Sequence, residues 1–149
     1  MQNVVLHYNS EMQKELWRNR WLNCINELTS LELQRQLWTN KRNSNPHWSF
    51  VEFMCSYFDD LGIDNNYEYQ LKQGWITKKE FDSISAWHQL LDKYDSPKKD
   101  NYDVEPILTD KKWLMIIEEG GKAKNQLSAI ISDEEKRVLF KEIDYKQYL

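Results

Sequence analysis

With 149 residues, seven Trp, eight Tyr and five Phe, the chain can bury a ring-rich core as one domain without disulfide staples. Four Gly and three Pro are too few for the many turns of a sandwich or barrel. The formal net charge is −4, and residues 43–71 hold five acids (Glu52, Asp59, Asp60, Asp64, Glu68) and no Lys or Arg, which disfavours nucleic acid as a partner of that stretch and suits a basic protein.

Residues 1–9 contain Val4, Val5 and Leu6 but no partner strand is evident, so an extended or flexible lead-in is expected. No basic segment runs into a long apolar stretch there, and no stretch reaches the length of a membrane span. With Cys24 and Cys55 both inside predicted helices and read as buried thiols, the expected location is the cytoplasm.

Five Ser/Thr-x-x-Glu/Gln patterns mark helix starts: Ser10/Gln13, Thr29/Glu32, Ser49/Glu52, Thr77/Glu80 and Ser132/Glu135. The first helix is expected over about 11–28, with Trp17, Trp21, Cys24 and Leu28 on one row. The second runs over about 31–42, with Leu33, Leu37 and Trp38 inward. The third is the aromatic helix between Asn45-Pro46 and Gly62, where Asn45 or Ser49 can serve as cap. Its rows are Trp48, Val51, Cys55, Phe58 and Phe50, Met54, Tyr57, Leu61, so wide an apolar surface that the helix is central.

Residues 62–75 lack a clear period and read as a structured loop with a short helical turn around 66–72. The fourth helix, about 78–94, carries Phe81, Ile84, Trp87, Leu91 and Tyr94. The polar stretch 95–106, bounded near its ends by Pro97 and Pro106, is the internal loop. A fifth helix from Thr109 or Asp110 puts Trp113, Ile116, Gly120, Ala123, Leu127 and Ile130 on one row if it runs through Gly120-Gly121; a break there is the alternative. A last helix follows at about 133–141. The fold class is all-α: a single-domain bundle of five to six helices with two larger surface loops.

No motif dictates a reaction. His-Glu-x-x-His, Cys-x-x-Cys, EF-hand and phosphate-loop patterns are all missing, so no catalytic residue, metal ligand or cofactor is assigned. Asp59-Asp60 and Glu118-Glu119 are adjacent acids, which point about 100° apart on a helix and do not converge unaided. His7 falls in the lead-in, and His47 reads as a capping or packing residue. His88 sits beside Ile84 and Leu91, with Asp92 four residues on, a spacing that suits either the core margin or a small-molecule or enzyme pocket. Tyr67 and Tyr69, interleaved with Asp59, Asp60, Asp64 and Glu68, have the composition of a protein-binding surface: aromatic anchors among acids that steer a basic partner. Trp75 lies beside them, and the competing reading is that Tyr67 and Trp75 fold back over the core.

The succession Trp21-Leu22 with Leu28 and Ser30, Gln34 with Trp38, Asn45-Pro46-His47-Trp48-Ser49-Phe50 with Glu52-Phe53, Tyr57-Phe58-Asp59-Asp60-Leu61, and Gly74 with Ile76 and Glu80 resembles a group of small bacterial proteins. Members of that group are counted among the immunity proteins of contact-dependent inhibition and polymorphic-toxin systems. The resemblance spans roughly residues 10–120 and rests mainly on aromatic positions. It implies a cytoplasmic inhibitor that binds and blocks one toxin domain, commonly a nuclease, and it carries over no catalytic residue; the acidic stretch suits a basic partner. The expected partner surface is Asp59, Asp60, Asp64, Tyr67, Glu68 and Tyr69; a pocket near His88 is the alternative, and a homodimer through the Gly120/Ala123 row stays open.

Overall fold

The computed structural model describes residues 2–40 and 45–146, with side chains from Ser10 onward. The chain is an all-α single domain, 71% helical, with eight α-helices and no strand among the described residues. They are α1 (Gln2–Leu28), α2 (Leu31–Trp38), α3 (Phe50–Cys55), α4 (Asp64–Gln73), α5 (Lys78–Asp92), α6 (Val104–Leu108), α7 (Lys111–Ser128) and α8 (Asp133–Leu139), and a π-helical turn, Ser56–Asp60, continues α3. The count exceeds the expected five to six because both presumed loops contain helix: α4 lies in 62–75, and α6 begins inside 95–106. The N-terminal backbone is also helical rather than extended, which makes Ser10 an interior residue of α1 and not its cap.

Three predicted caps are in place. Thr77 and Glu80 close a full reciprocal box on α5, Ser49 accepts from Glu52 N, and Ser132 accepts from Glu135 N. The cap of α2 is Ser30, one residue later than expected, because Thr29 Oγ1 donates back to Ile25 O at 2.7 Å and so completes α1. Residues 41–44, which include part of the expected extension of α2, lie outside the described residues.

The long α7 runs unbroken through Gly120-Gly121 and packs on α5. Each Gly costs about 1 kcal/mol relative to Ala in a helix, and at Gly120 the reason is steric. A Cβ there would stand 2.7 Å from Thr29 Cγ2 and 2.9 Å from Trp87 Nε1. Gly121 faces open space, and nothing in its surroundings demands glycine. Gly120 and Ala123 are therefore buried inside the domain, so this row is not the dimer surface left open above.

The core is built from rings. Trp38, Phe50, Trp113 and Tyr94 meet at centroid distances of 5.0–6.3 Å, while Trp17 and Trp21 stack at 5.5 Å. Gln34 is fully buried and satisfied at both ends: it accepts from Trp113 Nε1 at 3.0 Å and donates to Glu27 O at 3.1 Å. Arg18 fastens three helices. Its guanidinium donates from α1 to Glu80 on α5 (2.7 and 3.0 Å), to Glu135 on α8 (2.8 and 2.9 Å) and to the Trp75 carbonyl (2.8 Å). Burial opposes the charge on both Arg18 and Glu80, but their mutual hydrogen bonds prevail, so the Arg18 pKa is raised and that of Glu80 lowered.

Candidate functional site

The aromatic helix enters the core as expected but with a shifted inner row. Phe50, Phe53, Tyr57 and Leu61 are buried, whereas Val51, Met54, Cys55 and Phe58 are only half-buried. Asn45-Pro46 makes a turn ahead of the helix instead of its first residues: Asn45 Oδ1 accepts from His47 N at 3.0 Å. The π turn then presents Asp59 and Asp60 at the surface, and Gly62, at φ +60°, reverses the chain toward α4. The end of this turn is held by Leu61 O, which accepts from Trp17 Nε1 (2.8 Å) and Gln70 Nε2 (3.3 Å).

The first half of α4 is left-handed: Asn65, Asn66 and Tyr67 have φ of +53°, +54° and +65°. Asn tolerates this region; Tyr does so only when its surroundings hold it there. Here they do. Tyr67 is fully buried, its hydroxyl accepts from Trp21 Nε1 at 3.1 Å and pairs with the Tyr57 hydroxyl, and Tyr57 in turn bonds His88 Nδ1 at 2.7 Å. Because an indole can only donate, the arrangement that satisfies every buried hydroxyl runs Trp21 to Tyr67 to Tyr57 to His88, with the His88 proton on Nε2. Burial raises the pKa of both tyrosines. It lowers that of His88, with Asp92 opposing, so the ring is neutral at pH 7.

Tyr67 thus belongs to the core and offers no contact to a partner, which corrects its place among the expected binding residues. Asp59, Asp60, Asp64 and Glu68 are exposed, and none forms a salt bridge among the described residues. Tyr69 is 53% exposed and rests edge-on against Trp75, which is half-buried, at 5.5 Å.

The adjacent aspartates diverge into two clefts. Asp59 lines one of about 420 Å³ with Asp64, Asn65, Asn66, Phe58, His88 and Asp92. Asp60 lines a second, of about 660 Å³, with Arg20, Cys24, Glu27, His47, Trp48 and Ser56. In this second cleft His47 Nε2 lies 2.9 and 3.2 Å from the two Glu27 oxygens, and Ser56 Oγ lies 3.4 Å from His47 Nδ1. The bond to Glu27 raises the pKa of His47 against the effect of burial. Burial pushes the Cys24 thiol up to about 12, so it is a packing group and not a thiolate nucleophile. The Glu27–His47–Ser56 cluster joins Glu27 to two positions 20 and 29 residues further on and carries no local motif.

No cluster of His, Cys, Asp or Glu among the described residues is arranged to hold a metal ion, and no helix among them is long and apolar enough to cross a membrane. What fold and site define is a small all-α domain with an acidic ridge between two clefts. Comparison with protein-family models, curated proteins and solved structures found no match.

Proposed function

We propose that this is an immunity protein that binds a basic toxin domain, such as a nuclease, and occludes its active site. The observation that supports this most is that the π turn and α4 expose Asp59, Asp60, Asp64 and Glu68, without salt bridges among the described residues, and that α4 also exposes Tyr69. Exposed carboxylates outside salt bridges raise the encounter rate with a cationic cleft, and a propped aromatic ring supplies buried area once contact is made. The family resemblance points the same way.

The test is association of this protein with the toxin domain encoded beside its gene. Replacing Asp59, Asp60, Asp64 and Glu68 with Lys should lower the on-rate by roughly tenfold or more at low salt and flatten its salt dependence, with the helical spectrum unchanged. An unchanged on-rate and unchanged protection of toxin-producing cells would remove this surface from the mechanism. The second reading, a small-molecule pocket, is favoured by His88 lining the smaller cleft with Asp59, Asp64 and Asp92. It would be supported by a ligand whose binding is lost in Asp92→Asn while the toxin on-rate is not.

A further inference from the structure

The larger cleft, which Asp60 also lines, holds a second constellation. Glu27 comes from α1, His47 from the turn before α3, and Ser56 from the first position of the π turn. Two contacts hold the His47 ring, with Glu27 on Nε2 and Phe53 against the ring at 5.5 Å, and the Asn45 side chain accepts from the His47 main-chain N–H. Once His47 has lost its proton from Nδ1, with Nε2–H donated to Glu27, its Nδ1 lone pair faces Ser56 Oγ. Arg20 borders the same cleft and forms no salt bridge among the described residues.

We propose that Ser56, His47 and Glu27 form an acyl-transfer site for small uncharged esters, with Ser56 as nucleophile, His47 as general base and Glu27 as the residue that positions the base. The roles follow those of a serine hydrolase with the imidazole used the other way round. Ser56 Oγ bonds to the ester carbonyl carbon as its proton passes to His47 Nδ1, and the carbonyl electron pair moves onto oxygen. Arg20 and Lys141 are the cations that border this cleft and would offset the developing oxyanion charge. Collapse of the tetrahedral species expels the alkoxide, which takes the proton from His47 and leaves acyl-Ser56. Water, deprotonated by His47, then releases the carboxylic acid and restores the serine. The resting Ser56–His47 separation of 3.4 Å is long, as such contacts commonly are before substrate enters. The neighbouring Asp60 carboxylate disfavours anionic substrates.

The experiment uses the whole protein with p-nitrophenyl acetate and, separately, a fluorophosphonate probe followed by peptide mass spectrometry. The expected result is a single phosphonyl adduct on Ser56 and ester turnover that rises with pH as His47 loses its proton. Ser56→Ala should abolish the adduct, and His47→Gln should lower turnover by about 10²-fold. Glu27→Gln should move the pH inflection downward, a change that a purely structural Glu27 would not produce. Both clefts lie at the surface, so circular dichroism of each variant guards against loss of fold. A missing adduct, an adduct elsewhere, or turnover unchanged in Ser56→Ala would overturn the proposal.

Discussion

His47 and His88 pack against the same aromatic helix and are driven in opposite directions. His47 lies on Phe53 and Ser56, is half-exposed, and is gripped by Glu27, so its charged form is favoured. His88 lies on Tyr57 and Phe58, is 3% exposed, and receives a hydroxyl proton at Nδ1, so its neutral form is favoured. The difference shows that the partner on one ring nitrogen, together with access to water, decides what a histidine can do. One is held as an ion-pair member within reach of a hydroxyl. The other ends a buried chain whose proton order is fixed by an indole that can only donate.

The comparison breaks most severely at Tyr57. Tyr57→Ala removes a fully buried ring from beneath His88 and should cost about 3–5 kcal/mol in denaturant unfolding. A smaller loss, below about 1 kcal/mol, would mean that the chain from Trp21 to His88 contributes little to the fold. Tyr67→Phe is gentler: it keeps the ring but leaves the buried Trp21 N–H without its acceptor, at about 1–3 kcal/mol. The equivalent cut on the other side, Glu27→Gln, should cost less than about 1 kcal/mol near neutral pH because the His47 pair is partly exposed and screened.

The smallest effect is the most direct. Titration of the imidazole resonances should place His47 above and His88 below the ordinary histidine value, and Glu27→Gln should bring His47 down toward it. The two therefore act on stability in opposite senses. The contribution of His47 is full below its unfolded pKa and fades as pH rises through its raised folded value. The contribution of His88 is full above the unfolded pKa and is lost as pH falls toward its lowered folded value. Equal pKa values for the two rings would refute the environments described for both.

Much of this fold is legible in the sequence where the governing contacts are local. Thr77/Glu80 and Ser132/Glu135 mark α5 and α8, and the 3.6-residue row through Trp113, Gly120 and Leu127 marks α7. Local rules fail where a neighbour several residues away decides. Ser10 has the cap pattern, yet a helix that begins upstream leaves no orphan N–H for it to satisfy. Tyr67, in a stretch without a clear period and among acids, reads by composition as a surface anchor, but it sits among three left-handed residues and is buried, where Trp21 and Tyr57 hold it. The divergence of Asp59 and Asp60 follows from helix geometry alone. The Glu27–His47–Ser56 cluster does not, because tertiary packing alone brings together residues from three elements.

The glycine at 120 has a consequence that reaches beyond this chain. Its hydrogen fills the only room left between Thr29 and Trp87, so any side chain there must be matched by a loss elsewhere. Among sequences that share this fold, positions 29, 87 and 120 should therefore drift as a set: alanine or serine at 120 accompanied by a smaller ring at 87 or a serine at 29. A survey of relatives would read the α5–α7 crossing as covariation.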